Sequence, residues 1–161
     1  MNNAQSLLTI GALVILSLAS IGFHSAALEN STLQIENKVA LTAFSLADDL
    51  IEEIKVRSFD EATINFPTTN TKSLTLPMSL GPETGETYPY FDDVDDFNNY
   101  EKKISAPHAE NYNVTCKIFY VNGNYPDYPS LSQTFYKKAK ITVTSPYMKN
   151  PVSLGFIFTH K

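Results

Sequence analysis

The chain has 161 residues, 43% of them hydrophobic and 18% charged, a balance that excludes both a disordered tail and a polytopic membrane protein. Seventeen acids against twelve bases leave a net charge of −5, and the bases are scattered, so the clustered Lys/Arg footprint of a nucleic-acid binder is missing. One cysteine, Cys116, excludes an intramolecular disulfide framework, and His24, His108 and His160 have no spacing that suggests a metal or catalytic pair.

The first element in chain order is a helix. No charged side chain occurs from Met1 to Leu28, and residues 7–23 are apolar or small throughout. About 20 such residues at 1.5 Å rise each span a bilayer. A secretory signal peptide needs a basic leading region, whereas the first positive side chain here is Lys38. Two origins fit: a short basic leader has been removed, or Met1 initiates the chain and the segment inserts unconventionally.

Nothing between Gly22 and Pro67 is a glycine or proline, so no obvious stop interrupts the helix. Ala40, Phe44, Ala47, Ile51 and Ile54 recur at alternating four- and three-residue steps, which predicts one buried helical face, with Leu33 extending it upstream. Lys55 and Arg57 fall in the predicted last turn, where the helix dipole favours cations. The spacing predicts one helix over about residues 3–57, apolar all round in its first half (1–28) and amphipathic in its second (29–57).

Residues 58–111 are rich in Thr, Pro, Gly, Asn and Asp and read as a loop-rich connection, with short strands predicted at 63–66 and 73–76. From Tyr112 the period changes to two. Val114, Cys116, Ile118 and Tyr120 form one apolar face, Ala139, Ile141 and Val143 a second, and Val152, Leu154, Phe156 and Phe158 a third. Residues 112–161 are therefore an antiparallel meander with one face to cover. The natural cover is the stripe from Ala40 to Ile54, so the predicted fold is α+β, a long N-terminal helix packed on a C-terminal antiparallel sheet.

That layout resembles the type IV pilin and pseudopilin superfamily. Two segments, Ser58-Phe59-Asp60-Glu61 and Phe91-Asp92-Asp93-Val94-Asp95-Asp96-Phe97-Asn98-Asn99-Tyr100, resemble prepilin-like proteins related to the minor pilins of the mannose-sensitive haemagglutinin pilus. The family usually begins Phe-Thr-Leu-(Ile or Val)-Glu, whereas this chain begins Met1-Asn2-Asn3-Ala4-Gln5; if Met1 is the mature first residue, Gln5 takes the place of the usual glutamate. The resemblance implies a subunit of a helical extracellular filament serving adhesion, motility or transfer. Such a subunit waits in the inner membrane, carries a methylated N-terminus, and is drawn out by pilus assembly machinery to pack against copies of itself. Met1, Gln5, Leu7, Leu8, Ile10, Leu13, Val14, Leu16, Ile21 and Phe23 would then form the assembly core. Two other readings stay open: a pseudopilin of a secretion machine, and a single-pass anchored binding domain.

Candidates for chemistry are few. Asp92, Asp93, Asp95 and Asp96 offer hard oxygen ligands of the kind calcium takes, but the run lacks the EF-hand glycine and distal glutamate, and the alternative is a structural or solvated loop. His108 and His160 read as surface residues, and Cys116 as a buried inert thiol. The aromatic residues Tyr88, Tyr90, Phe91, Phe97, Tyr100, Tyr125 and Tyr128 read as interface or core. No nucleophile–base pair, metal constellation or phosphate loop stands out, and the chain reads as a non-enzyme with no required cofactor.

Overall fold

A computed structural model describes residues 3–106 and 109–160. Helix α1 runs Asn3–Lys55, 53 residues, within two residues of the predicted span. The chain divides into two compact units, Met1–Lys38 and Val39–Lys161. In the first, the described residues form helix alone. The second contains the rest of α1 and an antiparallel sheet of β1 (Glu101–Ala106), β2 (Ala109–Asn122), β3 (Tyr125–Pro129), β4 (Tyr136–Thr144) and β5 (Val152–Thr159).

The sheet order is β1-β2-β4-β5, with β3 paired to the far end of β2. β2 is the organising strand: its first half pairs with β1 and its centre with β4. Period two puts the predicted apolar residues on one face. Val114 lies opposite Val143, Cys116 opposite Ile141 and Ile118 opposite Ala139, and all six are buried. The third predicted set, Val152, Leu154, Phe156 and Phe158, packs against the same core from β5. Burial pushes the Cys116 thiol up to about 12, which keeps it protonated and unreactive.

The helix face covering this sheet is Val39, Ala43, Ala47, Leu50, Ile51 and Ile54. Ala47, Ile51 and Ile54 are as expected, while Phe44 is 50% exposed and Ala40 only half-buried. The physical reason is helical drift. The proposed stripe advances 3.5 residues per turn against the helix's 3.6, and at about 100° per residue Phe44 lies roughly 80° around the axis from Ile54. The small Ala43 takes the inner position instead. Leu33 is exposed as well.

Two further expectations are corrected. Neither 63–66 nor 73–76 is a strand; Thr63 and Ser73 end short 3-10 turns capped by the Asp60 and Asn70 side chains, which accept from Ala62 N–H and Lys72 N–H. Asp and Asn favour such local bonds over a ladder. In addition, β1 falls within the stretch read as loop, where the short, charged run Glu101-Lys102-Lys103 hides an edge strand.

Candidate functional site

Residues 7–28 present an apolar surface with no charged side chain, and Glu29, Glu36 and Lys38 follow it. Leu7, Leu8, Ile10, Leu13, Val14, Leu16, Ile21 and Phe23 are all exposed, Leu13 to 63% and Phe23 to 78%. Gln5 is exposed too, and Met1 lies outside the described residues. Two hydroxyls in the apolar stretch are satisfied by the helix itself: Thr9 Oγ1 donates to the Ser6 carbonyl (2.9 Å) and Ser17 Oγ to the Leu13 carbonyl (2.7 Å). Such back-bonding removes the penalty of taking a hydroxyl into an apolar medium. A Cβ at Gly11 or Gly22 would meet nothing within 4 Å, so neither glycine serves a contact inside this chain. The helix is long and apolar enough to cross a membrane.

The second region of interest is the acidic loop, and the structure brings its two resembling segments together. Ser58 N–H donates to the Asp92 carbonyl (3.0 Å) and Val94 N–H to the Ser58 carbonyl (2.9 Å), a parallel bridge joining 58–61 to 91–100. Against this bridge sits Lys137, 0% exposed. Its ammonium has three protons and three acceptors: the Phe59 carbonyl (2.7 Å), Asp60 Oδ2 (2.8 Å) and Asp95 Oδ1. The Phe59 ring (4.8 Å) and the Tyr120 ring (5.4 Å) flank it, both within cation–π range.

Two buried carboxylates share that one cation, and their environments separate them. Asp60 also accepts from Thr75 N–H (3.1 Å) and Ala62 N–H (3.1 Å), and the Tyr120 hydroxyl lies 3.0 Å from its Oδ2. Burial works against its charge, but Lys137 and these donors outweigh it and hold the Asp60 carboxyl below its ordinary value. For Asp95 burial prevails over Lys137, with Asp60 adding repulsion, and its carboxyl is raised. The Tyr120 hydroxyl is likewise raised by burial and by Asp60. Sequence reasoning names Asp60 only within a resembling segment and does not single out Lys137. The signal for Lys137 was parity: it shares the inner face of β4 with Ala139, Ile141 and Val143.

The four acids singled out from the sequence do not act as one ligand set. Asp92 is exposed, while Asp93, Asp95 and Asp96 are buried. Asp93 Oδ1 accepts from Asp95 N–H (2.7 Å) and Asp96 N–H (3.2 Å), a local cap, and Asp95 Oδ1 belongs to Lys137. Asp96 Oδ2 accepts from Asp92 N–H (2.9 Å) and Asp93 N–H (3.1 Å). Its Oδ1 has no hydrogen-bond partner. Glu83, Glu86 and Asp96 each offer a carboxylate oxygen, and these oxygens lie within 4.8 Å of one another. Burial, then the neighbouring Glu86, pushes the Glu83 carboxyl up to about 8.

The aromatic residues divide. Phe91 and Phe97 are buried, and with Tyr88 and Tyr100 they form a cluster with ring centroids 5.0–6.3 Å apart, whereas Tyr90, Tyr125 and Tyr128 are exposed. His160 is not a free surface residue: its ring sits 5.4 Å from that of Phe59 and 5.5 Å from that of Phe135, with Nε2 2.8 Å from the Thr68 carbonyl. His108 lies outside the described residues. No family model, curated protein or solved structure matches this chain.

Proposed function

We propose that the chain is a structural subunit of an extracellular type IV pilus-like filament, held in the inner membrane by its apolar helix half before assembly and acting without catalysis. The observation that carries this reading is the contrast in one helix between residues 3–38, where every large apolar side chain is exposed, and residues 39–55, where one face is buried on the sheet. Burying a Leu- or Ile-sized side chain from water gains roughly 1.5–3 kcal/mol, so the eight exposed residues from Leu7 to Phe23 named above represent roughly 10–25 kcal/mol in want of a partner. Lipid satisfies that demand before assembly. The apolar helices of other copies satisfy it afterwards.

Transfer from lipid to a helix bundle gains almost nothing by hydrophobicity, because acyl chains are equally apolar. Assembly on this reading therefore draws on close packing and on the assembly machinery. Once in water, the fibre is kinetically durable, since a departing subunit exposes its whole apolar half. The test is to shear filaments from cells that express the chain, identify their subunits, and determine the mature N-terminal residue by mass spectrometry. The expected result is this chain in the fibres with a processed, methylated amine. Its retention in the membrane with none in the fibres overturns the filament reading in favour of a pseudopilin or a tethered binding domain.

A further inference from the structure

We propose that Glu83, Glu86 and Asp96 form a binding site for a divalent cation of the calcium type, distinct from the run of aspartates to which only Asp96 belongs. The first observation is geometric. Calcium binds oxygens at about 2.4 Å, so oxygens on one ion lie at most about 4.8 Å apart. One oxygen from each of these three carboxylates meets that limit pairwise.

The second observation is independent of their proximity. Asp96 is 1% exposed, and its Oδ1 has no hydrogen-bond partner, although its Oδ2 has two. Glu83 Oε2 is also buried without a partner. A buried carboxylate oxygen with no donor is strongly unfavourable unless something positive meets it. Lys137, which holds the adjacent Asp95, does not serve, because it has committed its three protons. A proton held between Glu83 and Asp96 would also meet both orphaned oxygens, so the cation competes with a proton for this place. A cation that takes 6–8 oxygens accepts one from each residue and completes its shell with water.

Local backbone supports the arrangement. Glu86 N–H donates to the Glu83 carbonyl (3.0 Å), closing a four-residue turn, and Gly85 occupies its third position at φ +100°, a conformation that side-chain residues rarely adopt. Glu86 Oε2 then folds back to accept from Glu83 N–H (3.2 Å), which places both glutamates on one side of the turn. Asp96 faces them from the 3-10 turn Asp95–Phe97, and Asn98 Nδ2 donates to the Leu80 carbonyl (2.8 Å), tying the two loops together. A cation here would cross-link segments 80–86 and 92–98.

The experiment uses the full chain in detergent micelles, stripped with a chelator and then titrated with calcium chloride, followed by calorimetry and thermal unfolding. Saturable binding is expected, with a rise in Tm. Glu86→Gln and Glu83→Gln should each weaken the affinity about tenfold or more, and both variants should fold because neither residue is deeply buried. Asp92→Asn, on the exposed acid outside the trio, should bind as the parent does. Absence of saturable binding up to about 10 mM, well past the affinity of weak extracellular sites, overturns the proposal. So does undiminished binding by both glutamine variants, or loss of binding in Asp92→Asn alone, either of which puts the ion elsewhere.

Discussion

Two stretches of one helix, residues 3–38 and 39–55, have nearly the same secondary structure and opposite relations to their surroundings. The first exposes large apolar side chains on every side and carries no charge before Glu29; the second buries Val39, Ala43, Ala47, Leu50, Ile51 and Ile54 and exposes acids between them. Helix formation alone does not distinguish them. What differs is the width of the apolar stripe, and width decides the partner. A stripe of about 100° matches one sheet, whereas an all-round apolar helix needs lipid or several neighbours. The same contrast recurs within the folded unit, where the Lys137 ammonium places all three protons inside the chain while Glu83 Oε2 and Asp96 Oδ1 find no donor.

The largest expected effect comes from breaking the first stretch. A lysine at the centre of a spanning helix costs about 3 kcal/mol on insertion scales, and it would add a charge to a packed core. Leu13→Lys should therefore abolish filaments, while Thr144→Glu on the exposed end of β4 leaves them intact; electron microscopy of sheared cells is the readout. Normal fibres from Leu13→Lys would remove the helical-core reading.

Next comes the buried hub. Lys137→Met leaves Asp60 and Asp95 in the interior without a counter-ion, and breaking such a pair from one side costs about 3–5 kcal/mol. Urea unfolding of the full chain in detergent should show this loss. A midpoint equal to that of the parent would mean that the ammonium is not the ion that holds those carboxylates.

A third pair sharpens the helix face itself. Ala43→Asp puts a charge at a position with no exposure and should cost about 3 kcal/mol or more, while Phe44→Asp, one residue on but half exposed, should cost about 1 kcal/mol. Equal losses in the two variants would show that the face is rotated from its assigned position.

The smallest effect is the pH dependence carried by Asp60. Its carboxyl is held below its ordinary value, so the folded state binds fewer protons than the unfolded state as acid is added. The stabilisation is fully present above about pH 4 and is lost as pH falls through the lowered folded value. Asp60→Asn should be less stable than the parent near neutrality, and the gap should close as pH falls from about 4 through the lowered folded value. A gap that stays constant over that range would show that Asp60 is not the ionised partner of Lys137.

Much of the fold was legible because it rests on local periodicity. The limits of the helix and the inner faces of β2, β4 and β5 each follow from repeats that a few consecutive residues carry. Phe44 shows where that reading fails. Hydrophobicity placed it on the stripe, but close approach to the sheet selects the small Ala43, and a pattern of apolar letters contains no term for space. β1 was missed for the complementary reason: an edge strand rich in Glu and Lys has no apolar face to announce it.

The candidate site was legible only in part. Clustering drew attention to the aspartates, yet it could not apportion them among a backbone cap (Asp93), an ion pair (Asp95) and an oxygen left without a partner (Asp96). Lys137 stands 77 residues from Asp60 and 42 from Asp95, and Glu83 meets Asp96 only because the loops are tied at Leu80 and Asn98. By itself the sequence determined which segments must leave water, since the apolar content and period of a segment travel with it. Only the tertiary structure decided which charges meet, because a Coulomb partner is chosen by distance in space, and loop closure sets that distance without leaving a pattern in the neighbouring residues.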